Sequence, residues 1–124
     1  MRSLLITLLA IVAWSVGPTS LAETTTYRCD YSTYADEDGL HSVKGEFVLT
    51  FLMDADTSKA YILGNSGSAE VSMLDSSGGI SFIEVTPVGN VMTTAIDPSG
   101  KSVHSRNSIM FGELLPSQYY GTCR

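Results

Sequence analysis

From Thr24 to the end of the chain, short runs of apolar and β-branched residues alternate with clusters of turn-forming residues. The clearest turn is Asp97-Pro98-Ser99-Gly100, because proline presets the first central residue of a turn and glycine suits its last position. None of the runs has the spacing of an amphipathic helix. The pattern predicts an all-β fold, a small antiparallel meander of about eight strands. The predicted strands cover residues 24–32, 45–53, 60–63, 69–74, 80–86, 91–96, 101–111 and 118–123.

A different pattern occupies the start of the chain, which has the three parts of a secretory signal peptide. Arg2 is the positive part, the stretch from Leu4 to Val16 is almost entirely apolar, and Ser20-Leu21-Ala22 resembles a cleavage site. The apolar stretch is shorter than the roughly 18 residues that a membrane span requires. We therefore predict a signal peptide over 1–22 and a single secreted β-barrel domain over 23–124 with no membrane span, periplasmic if the source is a Gram-negative bacterium. The alternative for the first segment is a buried N-terminal helix.

The chain has two cysteines, Cys29 in the first predicted strand and Cys123 in the last. In an exported protein such a pair is expected to form a disulfide; two reduced, buried thiols are the alternative if the protein is not exported. A bond between these two strands would bring the edges of the meander together, and closure removes unpaired strand edges. The cysteines thus favour a closed or flattened β-barrel, although two packed sheets are compatible with the same pattern.

The net charge of the chain limits the classes of partner that are expected. Without Arg2 the chain has six Lys and Arg against thirteen Asp and Glu, a net charge of −7. So acidic a domain repels phosphate backbones, which excludes nucleic acid as an expected partner. The charge would suit a basic secreted protein as partner, or it simply keeps the protein soluble.

Signals for catalysis and for metal binding are weak. No G-x-S-x-G nucleophile motif is present, and the nearest sequence, Gly64-Asn65-Ser66-Gly67-Ser68, ends in serine. We therefore predict a non-enzymatic protein without a cofactor. The acidic turns Asp36-Glu37-Asp38-Gly39 and Asp54-Ala55-Asp56 could hold calcium if they converged, but neither matches an EF-hand loop. Zinc would need more free histidine and cysteine than the chain offers.

The most unusual strand sequence is Val103-His104-Ser105-Arg106-Asn107, where consecutive polar side chains must occupy both faces. A buried arginine needs a partner, and Glu84 on the strand over 80–86 is a candidate. The functional interpretation places Glu84, His104 and Arg106 together in a ligand pocket or binding face. The alternative is a rim or edge strand that exposes them to water.

Two further segments are candidate contact surfaces. The small residues of 64–69, including Ser66 and Ser68, allow a tight projecting loop whose backbone can approach a partner, although a plain hairpin turn fits the same residues. Near the C-terminus, Tyr119 and Tyr120 are adjacent, so one of them must face outward if the segment is a strand.

The layout resembles the periplasmic inhibitors of C-type lysozyme, which are small exported eight-stranded β-barrels. That family has Tyr-x-Cys near the mature start and a cysteine at the end, as here in Tyr27-Arg28-Cys29 and Cys123. Its central Ser-Gly-Ser-Gly loop corresponds to Ser66-Gly67-Ser68-Ala69, whereas the tyrosine that follows that loop and a Trp-x-Lys-Gly segment have no counterpart here. The resemblance implies that the loop around Ser68 would block a basic enzyme.

Three functions are therefore expected from the sequence. The first is a secreted, non-enzymatic β-barrel that binds a protein, a glycan or a small ligand through a loop face or its mouth. The second is the inhibitor that the resemblance implies, and the third is a structural protein of the cell envelope.

Overall fold

Nine antiparallel strands make up the described part of the chain, residues 23–64 and 67–124, in the computed structural model. The predicted signal peptide lies outside these residues. Within them no helix is long and apolar enough to cross a membrane. The strands are β1 (Thr24–Asp36), β2 (Gly39–Ser42), β3 (Val48–Asp54), β4 (Lys59–Gly64), β5 (Gly67–Ser76), β6 (Gly79–Val85), β7 (Val91–Ile96), β8 (Lys101–Met110) and β9 (Glu113–Cys123).

Eight of these strands close into a barrel. From β3 to β9 each strand pairs with the next along the chain, β1 pairs with β3 on one side, and β9 returns to pair with β1 on the other. Cys29 and Cys123 lie directly opposite each other where β1 meets β9, their Cα atoms 4.0 Å apart, and form a disulfide. The predicted all-β meander, its closure and its disulfide between the first and last strands are all confirmed.

The closing contact depends on a glycine. Gly121 of β9 faces Tyr31 of β1, and a Cβ atom at this position would overlap the backbone of Asp30. The pairing of β1 and β9 shifts register between Tyr31 and Thr33, which marks a bulge in β1. The missing side chain at 121 therefore lets the two backbones pair closely on the disulfide side of the bulge.

The ninth strand, β2, was not predicted. It pairs with the last residues of β1 through a two-residue turn, in which the backbone N–H of Asp38 donates to Asp36 Oδ1 at 2.9 Å and Gly39 has a φ of +118°. The acidic residues that predict a loop here are the residues that close the turn. Likewise β9 begins at Glu113, earlier than the predicted 118, because its pairing with β8 continues to the Met110–Glu113 pair.

The barrel has two different ends. We call the end formed by the β1–β2, β6–β7 and β8–β9 turns, and by the adjoining termini of β4 and β5, the mouth. The base is the opposite end, formed by the β3–β4, β5–β6 and β7–β8 turns.

The buried apolar side chains of the core come from every barrel strand except β8 and β9; β8 contributes the buried polar residues Ser102 and His104, and from β9 the partly buried Tyr119 and Cys123 pack against the core. Phe51 and Phe82 are its largest apolar members and stack at 4.3 Å between ring centroids. Burial of apolar surface at roughly 25 cal/mol per Å² is the main stabilising contribution of such a cluster. The buried apolar residues are Cys29, Tyr31, Leu49, Phe51, Ala60, Ile62, Val71, Ile80, Phe82 and Ile96.

Candidate functional site

A cavity of about 430 Å³ opens at the mouth of the barrel. Phe47, Leu49 and Ile62 form an apolar side, and Glu84, His104 and Arg106 bring polar groups to it; Val48, Gly64, Gly67, Ser68, Ala69 and Met92 complete the lining. The three polar residues that the sequence associates therefore line one cavity.

Strand register explains this convergence. Glu84 pairs with Met92, and Met92 pairs with Arg106, so these three residues form one inward-facing row across β6, β7 and β8. In the next row towards the base, Thr94 pairs with His104. Alternation along β8 thus turns His104 and Arg106 inward, whereas Val103, Ser105 and Asn107 belong to the outer face.

Arg106 is half-buried and held in place by its neighbours. Its Nε–H donates to His104 Nε2 at 3.3 Å, and its guanidinium carbon lies 4.9 Å from the ring centroid of Phe47 and 5.2 Å from that of Tyr119. These two rings stack at 4.5 Å, so the cation lies against an aromatic pair. Arg106 forms no ion pair with any carboxylate of the described residues; the predicted partner Glu84 is separated from it by Met92.

His104 connects this cation to the core. Its side chain is 1% exposed, so exposure on an edge strand, the alternative for this residue, is wrong. Since Nε2 accepts from Arg106, the proton lies on Nδ1 and donates to Thr94 Oγ1 at 2.7 Å. Burial, and secondarily the positive charge of Arg106, lower the pKa of His104 to about 4. A neutral ring with both nitrogens engaged is a poor general base.

Aromatic rings continue from the cavity towards β2. Tyr34 stacks on Tyr119, with 5.2 Å between the ring centroids, and the ring of His41 lies 5.0 Å from that of Tyr34. His41 Nε2 lies 2.8 Å from Asp36 Oδ1, and this hydrogen bond lowers the pKa of the Asp36 carboxyl. The bulge in β1 brings Tyr34 to the same face as Tyr119, with which it pairs across the strands.

The other predicted contact residues are distributed differently. Ser68 is exposed at the edge of the cavity, where β5 begins, and Ser66 lies outside the described residues. Tyr119 points inward and is half-buried, whereas Tyr120 is exposed on the outer face and donates its hydroxyl to Gln118 Oε1 at 2.6 Å. Only Tyr119 of this pair belongs to the cavity region.

Sequence reasoning missed Phe47, Met92 and Thr94. Alternation in the predicted strand over 91–96 places Met92, Thr94 and Ile96 on one face, a signal that could have identified two of them. Alternation in the predicted strand over 45–53 also places Phe47 in phase with Leu49 and Phe51, but its contacts with Tyr31 and Tyr119 join segments that are remote in sequence and give no local signal.

No cluster of three or more histidine, cysteine, aspartate or glutamate side chains suited to a metal occurs in residues 23–64 and 67–124. In the two acidic turns considered for calcium, the carboxylates of Asp36 and Asp54 each accept the backbone N–H two residues ahead, from Asp38 and Asp56. These turns are Asx turns whose carboxylates stabilise their own backbone.

The base has a depression of similar volume, about 430 Å³, among the turn residues of 75–79 and 97–100. One of its two carboxylates, Asp97, accepts hydrogen bonds from Ser99 and from the backbone of Lys101, which lower its pKa. The other charged side chains that line it, Asp75 and Arg124, are exposed to water, whereas Arg106 at the mouth is half-buried and pairs with no carboxylate of the described residues. The mouth cavity is therefore the better candidate site.

Comparisons of the chain with models of protein families, with curated proteins and with solved structures found no match.

Proposed function

We propose that this protein is a secreted, non-enzymatic binding protein that takes a small organic anion into its mouth cavity, with Arg106 as the recognition group. One observation carries the proposal. A half-buried guanidinium is oriented by a histidine and two aromatic rings, and no described carboxylate pairs with it.

Partial burial makes an uncompensated cation costly, so an anion that entered the cavity would gain a charge-assisted interaction. Because Nε is engaged by His104, the two terminal nitrogens of Arg106 stay available. A planar guanidinium with two adjacent donors suits a carboxylate or a phosphate. The cavity volume also lies within the range of small-molecule sites, roughly 300–1,000 Å³.

Glu84 gives the ligand a second expected feature. It lines the same cavity as Arg106, on the far side of Met92. A ligand that reached both charges would carry an anionic group at one end, an apolar middle portion against Met92 and Phe47, and a hydroxyl or amino group near Glu84. Such a molecule would be polar at both ends.

The non-enzymatic character is supported by the state of His104. Its two ring nitrogens are occupied by Thr94 and Arg106, and its lowered pKa makes it weakly basic. The cavity thus offers groups that hold a ligand and lacks an activated nucleophile–base pair among its described residues.

The test is an NMR titration of the exported protein with a set of small carboxylic acids and phosphate monoesters, each paired with its neutral amide or alcohol. We expect acids, and not their neutral counterparts, to shift the Nε–H resonance of Arg106 and the backbone amide resonances of the cavity residues Ser68 and Met92. Arg106→Met should abolish the shifts of these two amides, whereas Lys101→Met, which removes an equal charge from the same strand at the base, should preserve them. If millimolar acids leave the Arg106 resonance unchanged, or if Arg106→Met responds like the wild type, the proposal is wrong.

A second candidate is the inhibitor function that the family resemblance implies. It is favoured by the closed eight-stranded barrel with its disulfide and by the exposure of Gly67 and Ser68 at the mouth. The assay is cell-wall lysis by a hen-type lysozyme in the presence of the exported protein. Inhibition that Ser68→Arg removes and Ser72→Arg, an exposed position lower on the same strand, retains would support this candidate; undiminished lysis at large excess would eliminate it.

A further inference from the structure

The hairpin of β8 and β9 ends in an apolar tip, formed by Ile109, Met110, Phe111, Leu114 and Leu115, all of which are exposed. Phe111 at its end is 99% exposed and Leu114 is 64% exposed. Soluble proteins rarely present so many contiguous large apolar side chains to water without a partner.

Both faces of this hairpin are apolar. Ile109 pairs with Leu114, so the two share one face, whereas Met110 and Leu115 belong to the other face. A protein partner docked against one face would leave the opposite face in water. A medium that surrounds the hairpin would cover both faces.

The backbone at the tip is also unusual. Phe111 has a φ of +52° and is followed by Gly112 with a φ of +77°. Two-residue hairpin turns of this shape normally use asparagine, aspartate or glycine. A bulky residue in this strained conformation, with its ring in water, is a candidate functional group.

A neighbouring turn extends the uncharged area. Val88 in the β6–β7 turn is 80% exposed, and Asn90 Oδ1 in the same turn accepts the backbone N–H of Ile109 at 2.9 Å. Residues 85–96 contain no charged side chain, and residues 107–117 contain only Glu113. The hydrogen bond keeps the two projections adjacent at the mouth.

We propose that the mouth end of the barrel docks on a zwitterionic lipid surface, with Phe111 and the flanking residues of the apolar tip inserted at the boundary between headgroups and acyl chains. Insertion would cover both faces of the hairpin and the ring of Phe111, which no single flat partner can do. Binding at a lipid interface scales with the apolar area that is buried, and electrostatic attraction adds to it where the lipids are anionic. The net charge of residues 23–124, −7, disfavours anionic lipids, so the expected surface is neutral overall. This inference is independent of the proposed anion site.

The experiment is flotation of the exported protein, expressed from the full sequence, with phosphatidylcholine vesicles. Phe111→Gly is the decisive variant, because glycine suits the positive φ and should leave the melting temperature unchanged or raised. We expect Phe111→Gly to lower vesicle partitioning about tenfold or more. Leu114→Ser should also weaken it. The matched control is Leu74→Ser, which removes a leucine of 66% exposure near the base and should bind like the wild type.

Three results would overturn the proposal. The first is a wild-type protein that does not float with the vesicles. The second is undiminished flotation of Phe111→Gly. The third is a wild-type dimer, seen in analytical ultracentrifugation, that Phe111→Gly dissociates, since the apolar tip would then bind a second copy of this chain.

Discussion

Two of the stacked aromatic pairs in this barrel have nearly the same ring separation but different surroundings. Phe51 and Phe82 stack at 4.3 Å with an interplanar angle of 11°, and Phe47 and Tyr119 stack at 4.5 Å with an angle of 27°. The first pair is almost completely enclosed, whereas the second is half-buried near the mouth with a cation against it. The first stacked pair therefore stabilises the fold, and the second presents aromatic rings to a cation near the opening.

The difference arises from what surrounds each pair. Phe51 and Phe82 belong to the cluster of buried apolar residues, among side chains from β1, β3, β4, β5, β6 and β7. Phe47 lies just before β3, and Arg106 lies within cation–π distance of both it and Tyr119. Where apolar neighbours complete the enclosure a pair contributes mainly stability, and where a charged side chain borders an opening it can contribute recognition.

The largest expected effect is on the enclosed pair. Phe82→Ala removes a fully buried ring and leaves a cavity, which should cost about 3–5 kcal/mol of unfolding free energy. Urea denaturation of the variant and the wild type at neutral pH measures this loss. If Phe47→Ala proves equally destabilising, the distinction between a stabilising and an open pair does not hold.

The next effect concerns His104, which lies between the two regions and contacts the rings of Tyr31, Phe47 and Tyr119. Its pKa falls from 6.5 to about 4 on folding, so the unfolded chain binds the proton more tightly. The stabilisation that comes from a neutral His104 is fully present above pH 6.5 and is lost as the pH falls towards 4. The difference between the two pKa values sets an upper bound of about 3 kcal/mol on this loss of unfolding free energy.

Denaturant unfolding between pH 7 and pH 4.5 checks this expectation. His104→Asn should be less stable at pH 7, and its unfolding free energy should fall less steeply towards pH 4.5. His41→Asn on the β2 hairpin should keep the wild-type fall. If the fall is unchanged in His104→Asn, a group other than His104 causes it. Aspartates such as Asp36 and Asp97, whose pKa values are lowered, contribute in the separate range below 3.8.

The enclosed core and the mouth of the barrel could not be predicted equally well from the sequence. Period-two alternation and turn residues are local signals, so they predicted the strands from β3 to β8, and the cysteine positions predicted closure. The grouping of Glu84, His104 and Arg106 followed from polar residues in a strand. The contact of Phe47 with Tyr119 and the bulge after Tyr31 depend on pairings between segments remote in sequence, for which a local pattern holds no information. Strand β2 was missed because its four residues follow an acidic turn that also fits a loop.

A smaller effect is expected for the open pair. Phe47→Ala should cost about 1–2 kcal/mol of unfolding free energy, because the ring is already partly in water and its removal exposes less new apolar surface. It should also release Arg106. The free energy of anion binding at the mouth should therefore fall by more than the free energy of unfolding does. Phe47→Leu keeps the apolar volume without the aromatic face, so intermediate stability with equally weakened binding would identify the ring itself as the requirement. The measurements are urea denaturation and the NMR titration of Arg106.

The smallest effect on stability is expected at Arg106. Arg106→Met keeps most of the apolar contact with Phe47 and Tyr119 and loses a cation–π interaction worth about 0.5–1 kcal/mol. Its informative consequence is on His104, because the guanidinium charge is the second cause, after burial, of the lowered pKa. The His104 pKa should therefore rise in Arg106→Met and still lie below 6.5, since burial persists. Arg106→Lys, which keeps the charge and loses the Nε hydrogen bond, should raise it less. NMR titration of the His104 ring measures both values, and an unchanged pKa in Arg106→Met would show that the cation does not lie beside the imidazole.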